Sequence, residues 1–544
     1  MSERDLTNDS AVLDTSHLGE IQGAFGTIPA HVGNAPRSLS GHLKTALAIL
    51  GPGLIVMVGD NDAGAFSTYT QAGQNYGVRL LWTLLLLVPV LYVNQEMALR
   101  LGSVTGVGHA RLILERFGRF WGSFSVIDLF VLNALTIVTE FIGVTLSAGY
   151  LGIPKVLAVA IASVLIVASA STGSFRRFER ISMFLIAGSF LLIPVFVMVH
   201  PPVAAIARGF LVPGTPAHAP LSSIMLLVIA IVGTTVAPWQ LFFQQSYVID
   251  KRITPAFMSY ERLDLWLGIV IVVVSAAAMF GFSDAAFAHS AGAGHFTNSA
   301  GVAEGLARHS GHVVGVLFAI ALLDASMIGA AAVGLATAYA AADVMGRNHS
   351  LHRSVRSAKG FYATYGALIV VSGALVVTPN VPLGLLTEGV QTLAGVLLPS
   401  ATVFLLLLCN DREVLGPWVN TRRKNLFTAA VIWVLIILSV ILTTSVLFPH
   451  LSSGAILDVM GGGLAIGILG AVLLARSTRD STTEAKPTGV EVDPLTWRMP
   501  RSALLTRPQM NSRVRLGLTV LRGYLLIAFL LVIVRVLELA FSHR

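Results

Sequence analysis

The sequence predicts an all-α bundle of membrane-crossing helices, and three observations predict it. Hydrophobic side chains make up 55% of the 544 residues and charged ones only 12%, about half the charged share of a soluble domain. Mean hydropathy is +0.77. The apolar residues also run in stretches of roughly 20, the length a helix needs to cross a hydrocarbon core of about 30 Å. In lipid each segment must satisfy its own backbone N–H and C=O groups, which selects helices. A membrane barrel would show short alternating segments instead.

Thirteen such stretches are expected, near 46–76, 80–100, 121–149, 154–171, 181–199, 223–248, 264–287, 312–344, 361–377, 383–408, 426–447, 455–475 and 516–541. Residues 1–43 are polar and rich in Gly, Ser and Thr, with no apolar signal-like run, and read as a loose cytoplasmic tail. Residues 477–514 read as a cytoplasmic linker to an additional helix within 515–544. The formal charge of +8 suits membrane topology better than nucleic-acid binding. Alternate connections carry 29 Lys and Arg in all, the others only Arg79, Lys155, Arg208 and Arg308. By the positive-inside rule the N-terminus lies in the cytoplasm, and an odd number of spans puts the C-terminus outside. The single Cys409 rules out intramolecular disulfides and thiolate metal clusters.

The first span is not one clean helix. It reads Met57-Val58-Gly59-Asp60-Asn61-Asp62-Ala63-Gly64, with two carboxylates and an amide at mid-membrane depth. An Asp at a helix centre costs about 2.5–3.5 kcal/mol on the insertion scale, so it marks a cavity or a partner. The sixth span breaks at Gly233-Thr234-Thr235-Val236-Ala237-Pro238, where Pro238 removes a donor and frees carbonyls a turn earlier. Breaks five spans apart predict two five-helix repeats, 44–200 and 222–408, the second inverted, followed by helices 11 and 12 over 425–476. Secondary transporters bind substrate between two such broken helices.

These residues resemble the NRAMP divalent-metal transporters, which share the leucine-transporter-like fold. The likeness runs from about Gly51 to Asn420. It takes in Gly51-Pro52-Gly53, Asp62-Ala63-Gly64-Ala65-Phe66 (the family has Asp-Pro-Gly-Asn-Phe), Gln71-Ala72-Gly73, Leu80-Leu81-Trp82, Arg100-Leu101-Gly102, Tyr339-Ala340 and Asn410-Asp411-Arg412. The resemblance implies a transported metal ion held by Asp62, by backbone oxygens near Gly59 and Thr234, by the Thr235 hydroxyl and by Gln391. It also implies departures. Ala65 stands where the family has a ligating Asn, and Ala237 where it has a ligating Met. Loss of the soft thioether favours hard ions, and Mg²⁺, which keeps several waters, suits an oxygen-lined site with one carboxylate. The chain is thus similar to the NRAMP-related magnesium transporters. Trp239 replaces a family His and Gly143 a family acid, which empties two positions of the proton relay; Glu140 and Asp324 remain as possible accessory acids.

The expectation is alternating-access transport of Mg²⁺ and Mn²⁺ without proton coupling. The metal is cargo, with no cofactor, no enzyme activity, no nucleic acid and no partner protein besides the bilayer. The setting is a bacterial-type plasma membrane. One alternative is proton-coupled Mn²⁺/Fe²⁺ transport of the NRAMP type. Another is an amino-acid carrier of the same fold, which would not want Asp62 facing a substrate carboxylate. A membrane aspartyl enzyme needs two carboxylates able to share a proton, and Asp60 and Asp62 point in different directions on a helix. His200, His218, His289, His295, His309 and His312 fall in loops assigned outside and read as solvated.

Overall fold

The computed structural model describes residues 15–29, 38–216, 219–378, 383–447, 452–477, 493–501 and 504–506, with 517–520, 523 and 526. Two short strands open it, β1 (Ile21–Gly23) and β2 (Gly26–Ile28), antiparallel with Ile21 opposite Ile28. The helices follow: α1 (Leu39–Ile49), α2 (Pro52–Val58), α3 (Ala63–Tyr76), α4 (Trp82–Thr105), α5 (His109–Phe117), α6 (Arg119–Tyr150), α7 (Lys155–Ala170), α8 (Phe175–Gly188), α9 (Leu192–Val199) and α10 (Val203–Leu211). After these come α11 (Leu221–Thr235), α12 (Pro238–Asp250), α13 (Met258–Phe287), α14 (Ser299–Ser310), α15 (His312–Met345), α16 (Lys359–Val377), α17 (Leu383–Cys409), α18 (Arg412–Leu415), α19 (Arg422–Leu447) and α20 (Ser453–Ser477).

Both expected breaks are present. In the first span α2 ends at Val58, and α3 restarts at Ala63 with Asp62 as its N-cap, the Oδ1 atom accepting from Ala65 N at 2.8 Å. An Asp cap satisfies one of the four orphan donors that any helix start exposes. In the sixth span α11 stops at Thr235, and α12 restarts on Pro238, whose missing N–H costs nothing at a first helical position.

Packing follows the repeat. The two longest helices, α6 and α15, pack on each other most extensively. They are the third spans of their respective halves. The pair α3–α13 has its counterpart five spans on in α12–α4, and α7–α16 pairs the fourth spans of the two halves. The fold is therefore a leucine-transporter-like bundle of two inverted repeats. Its rim is apolar: Leu157, Val164 and Leu165 on α7, Phe184 on α8 and Val197 on α9 are all exposed, as a surface facing lipid requires.

Three expectations change. Among the described residues ten helices are long and apolar enough to cross a membrane, or eleven if the bent pair α1 and α2 is one span. The fourth stretch is a shorter apolar helix of 16 residues, the first is interrupted, and most of the thirteenth (516–541) lies outside the described residues. The tail is not loose throughout. The hairpin turn donates Ala24 N to Glu179 Oε2 at 2.5 Å, its carbonyl accepts from Arg180 at 3.0 Å, and Ile21 is fully buried. The described part of 477–514 also returns to the bundle: Trp418 donates to Pro494 O at 2.8 Å, Arg116 donates to Thr506 O at 2.7 Å, and Met499 is buried.

Candidate functional site

Residues 59–62 leave the helical path through short turns, Asp60 N bonding Met57 O at 3.2 Å and Asn61 N bonding Val58 O at 3.1 Å. This puts three polar side chains in the bundle core. Asp60, Asn61 and Asp62 are at most 3% exposed. Asp62 is placed between three elements. A methyl group built on Gly329 of α15 would lie 2.9 Å from Asp62 Cβ and 2.7 Å from Glu140 Oε2. A larger residue at 329 would push one of the two acidic side chains aside. On the other side, a Cβ at Gly64 would meet Asp62 Oδ1 at 3.1 Å and collide with the Gln391 side-chain amide. Asp62 and Gln391 thus converge over the first turn of α3.

Glu140 anchors the break as well as lining it. Its Oε2 accepts from Ala63 N at 3.1 Å, while Oε1 has no hydrogen-bond partner among the described residues. From α11, the Thr235 hydroxyl donates to Ile231 O at 2.5 Å and meets the Tyr69 hydroxyl at 2.7 Å. That hydroxyl is already engaged. The Thr234 hydroxyl is the one without a partner among the described residues, and so is Gln391 Nε2. Ala65 and Ala237 are buried beside the breaks, with no donor atom on either side chain. Gly59 approaches Trp239, since a Cβ there would stand 3.7 Å from the indole ring.

Trp239 is 1% exposed, and its Nε1 has no partner among the described residues. Gly143 is closely covered: a Cβ there would collide with Ser326 Oγ and lie 2.5 Å from Ala63 Cβ. An acid at 143 would need both neighbours to move. Asp324 stands elsewhere, its carboxyl against Gly188 of α8, on a different face of α15 from Gly329. Of the two accessory acids, only Glu140 shares the site with Asp62.

Four further buried polar residues carry no ligand role in the sequence reading. Asp60 is fully buried, and neither of its carboxylate oxygens has a hydrogen-bond partner among the described residues; the same holds for both amide atoms of Asn61. Gln240 on α12 and Gln95 on α4 are fully buried and joined by Gln95 Nε2 donating to Gln240 Oε1 at 3.0 Å. The signal was in the sequence, since Asp60 is as intramembrane as Asp62, but a helix periodicity gave the two different directions.

Among the described residues, no three His, Cys, Asp or Glu side chains stand close enough together to hold a metal ion. An ion at the break must therefore be completed by amide, carbonyl, hydroxyl and water oxygens. The loop histidines form no such group either: His289 and His309 line a cavity of about 360 Å³ with Arg308, and His218 lies outside the described residues.

This arrangement has relatives. Residues 53–445 match the family model of natural resistance-associated macrophage protein-like (Nramp) proteins. The chain is 30% identical over 406 residues to a divalent metal cation transporter, MntH, of Ralstonia nicotianae, covering 72% of this chain and 88% of that one. Against the MntH of Burkholderia ambifaria the identity is 29% over 412 residues, with the same coverage. Among solved structures, a variant of the Eremococcus coleocola manganese transporter superposes with a TM-score of 0.62 at 20% identity, over 82% of this chain and 97% of that one. With both broken helices in place and the family match spanning both repeats, the chain belongs to the Nramp family and is a multi-pass membrane transporter, not an enzyme.

Proposed function

We propose that the chain carries Mg²⁺, and Mn²⁺ next, as a partly hydrated ion by alternating access, without moving protons. Its relatives are named as transporters of divalent metal cations and of manganese, and divalent cation transport is the coarse function of this chain. The observation that carries the finer reading is the donor set: the break offers Asp62, Gln391, Thr234 and backbone oxygens, while Ala65 and Ala237 supply nothing. Oxygen donors without sulfur favour hard ions. Mg²⁺ tolerates a shell completed by water, whereas Ca²⁺ wants more ligands at longer distances. This is the chemistry of the NRAMP-related magnesium branch. Two further observations argue against a proton relay. Trp239 cannot carry a proton, and the packing of Ser326 and Ala63 over Gly143 leaves no space for an acid. The orientation that goes with this reading has the N-terminus in the cytoplasm and the C-terminus outside, in a bacterial-type plasma membrane.

The test is uptake into proteoliposomes loaded with a Mg²⁺ indicator and, separately, a pH dye. Mg²⁺ and Mn²⁺ should enter while the pH dye stays silent. Internal acidification that rises with metal concentration would reject the uncoupled reading and assign Glu140 as the proton carrier. Uptake of Mn²⁺ with no Mg²⁺ would reject the magnesium reading.

A further inference from the structure

Asp60 is not used by the reading above, yet its surroundings are those of a ligand. It lies on the same unwound segment as Asp62, fully buried, and no ion pair among the described residues reaches it. Asp62, Tyr69 on α3 and Glu140 on α6 lie within electrostatic reach of it. The Gln240 amide comes within interaction range but outside hydrogen-bond geometry. A buried charge without a partner costs several kcal/mol, and nearby carboxylates add mutual repulsion. A neutral carboxyl group would not remove the difficulty, because both of its oxygens would still lack partners in a dry core. Asn61, beside it, adds an amide whose oxygen and nitrogen are equally unmatched.

The polar atoms without partners therefore extend past Asp62 on the side of α4 and α12. Asn94 on α4 has both amide atoms unmatched, and Gln95 Oε1 likewise. Gln240 is held in position by the bond from Gln95 and by its own Nε2 donating to Thr235 O at 3.4 Å. These residues do not form a hydrogen-bonded network that closes on itself.

We propose that Asp60 is a second carboxylate ligand of the transported divalent cation, the ion being held between Asp60 and Asp62 with Gln240 and Asn61 supplying oxygens on the α12 side. This rests on the divalent-cation reading and deepens it. Two carboxylates match the charge of one divalent ion, and water completes the shell where no third acidic side chain is close enough. The site gains affinity for hard cations from charge, in place of the amide and thioether that Ala65 and Ala237 do not provide.

The experiment measures Mn²⁺ binding by calorimetry on purified full-length protein and Mg²⁺ uptake in proteoliposomes, for the parent chain, Asp60→Asn, Asp62→Asn, Gln240→Glu and the double variant Asp60→Asn/Gln240→Glu. Asn keeps the shape and hydrogen bonding of a neutral carboxyl group but cannot carry its charge, so a purely structural role survives that change. Expected are a tenfold or greater rise in the Mn²⁺ Kd and the uptake KM for Asp60→Asn, tighter binding than the parent for Gln240→Glu, and partial recovery in the double variant. Asp60→Asn with Kd and KM within twofold of the parent, while Asp62→Asn has lost uptake, would overturn the proposal and leave the general reading intact. A parent protein that binds and transports no divalent cation would remove the general reading itself. If Asp60→Asn does not fold, Gln240→Glu decides alone, and binding no tighter than the parent's counts against Asp60 as a ligand.

Discussion

Two of the clusters of buried acids in this bundle are finished differently. At the break, Asp60, Asp62 and Glu140 have no cationic side chain paired with them among the described residues. At the end of the bundle that carries the N-terminal hairpin, Glu179, Glu261 and Asp264 surround Lys251, which is fully buried. Lys251 Nζ donates to Glu179 Oε1 at 2.6 Å and to the Ile49 and Leu50 carbonyls at 2.7 and 2.9 Å. Asp264 Oδ2 accepts from Gly51 N and Gly53 N at 3.1 and 2.7 Å. In the proposed reading the first cluster leaves its charge for an ion to neutralise. The second brings its own cation, and Lys251 and Asp264 bond the entry of α2, fixing the half-helix next to the break. A buried carboxylate thus reads as a site or as a strut according to whether the chain supplies the counter-charge.

The largest expected effects separate the two clusters. Asp62→Asn keeps the helix cap, since Asn and Asp cap almost equally well, but removes the carboxylate's charge. Mg²⁺ uptake should fall by roughly 100-fold or more, as the loss of a direct charged ligand implies, with the melting temperature unchanged. Lys251→Met should do the reverse and damage the fold, because Glu179 would be left buried and unpaired, at a cost of about 3–5 kcal/mol. Glu179→Gln in the Lys251→Met background should recover part of that loss, which a double-mutant cycle on thermal melts would read. Normal uptake by a well-folded Asp62→Asn protein, or an unchanged melt for Lys251→Met, breaks the distinction.

This contrast also marks what the sequence could reveal. The broken spans were legible because Asp60-Asn61-Asp62 and Ala237-Pro238 offend simple rules about lipid-buried helices, and breaks five spans apart imply the repeat. Lys251 was not. In sequence it is one cation in a basic connection after the sixth span, and nothing local distinguishes a buried lysine from a solvated one. The hairpin was missed for a different reason. Strands of three residues are too short for an alternating pattern to register, and their stability comes from Glu179 and Arg180, about 155 positions away. The sequence likewise gives no hint of which helix face Asp324 occupies, and its carboxyl lies against Gly188 rather than at the break.

A pH-dependent effect should appear where a buried carboxylate holds a histidine. His349, in the connection after α15, contacts Asp343 Oδ1 at 3.0 Å, and its Nδ1 meets Arg347 O at 2.7 Å. Burial, the largest single influence, pulls its pKa down, but the Asp343 carboxylate, the Arg347 carbonyl and Asp250 together outweigh it and raise the value to about 9. The folded value lies above the ordinary 6.5, so the stabilisation is fully present below pH 6.5 and is lost as pH rises through 9. A shift of this size corresponds to about 3 kcal/mol. Thermal melts from pH 6 to 10 should show the parent weakening across that window and His349→Gln nearly flat. Parallel curves would mean that the Asp343 contact does not hold the histidine charged.

The smallest effect concerns ion preference, and it sharpens the comparison from the other side by giving the unpaired cluster more partners of its own. Ala65 is fully buried in the first turn of α3, and Ala237 immediately precedes Pro238 at the second break. Ala65→Asn with Ala237→Met would supply an amide and a thioether where the break now offers neither. The added ligands displace water from the ion's shell, which Mg²⁺ resists and softer ions accept. Preference should move from Mg²⁺ toward Mn²⁺ and Cd²⁺ by roughly tenfold, about 1.4 kcal/mol, read from competitive uptake in proteoliposomes. Turnover should slow as well, since an ion stripped of water leaves less readily. The effect is modest because Asp62, the main source of charge at the site, is unaltered. If the double variant folds and its Mg²⁺-to-Cd²⁺ ratio matches the parent's, selectivity does not reside at these two positions, and the charge of Asp60 and Asp62 must set it instead.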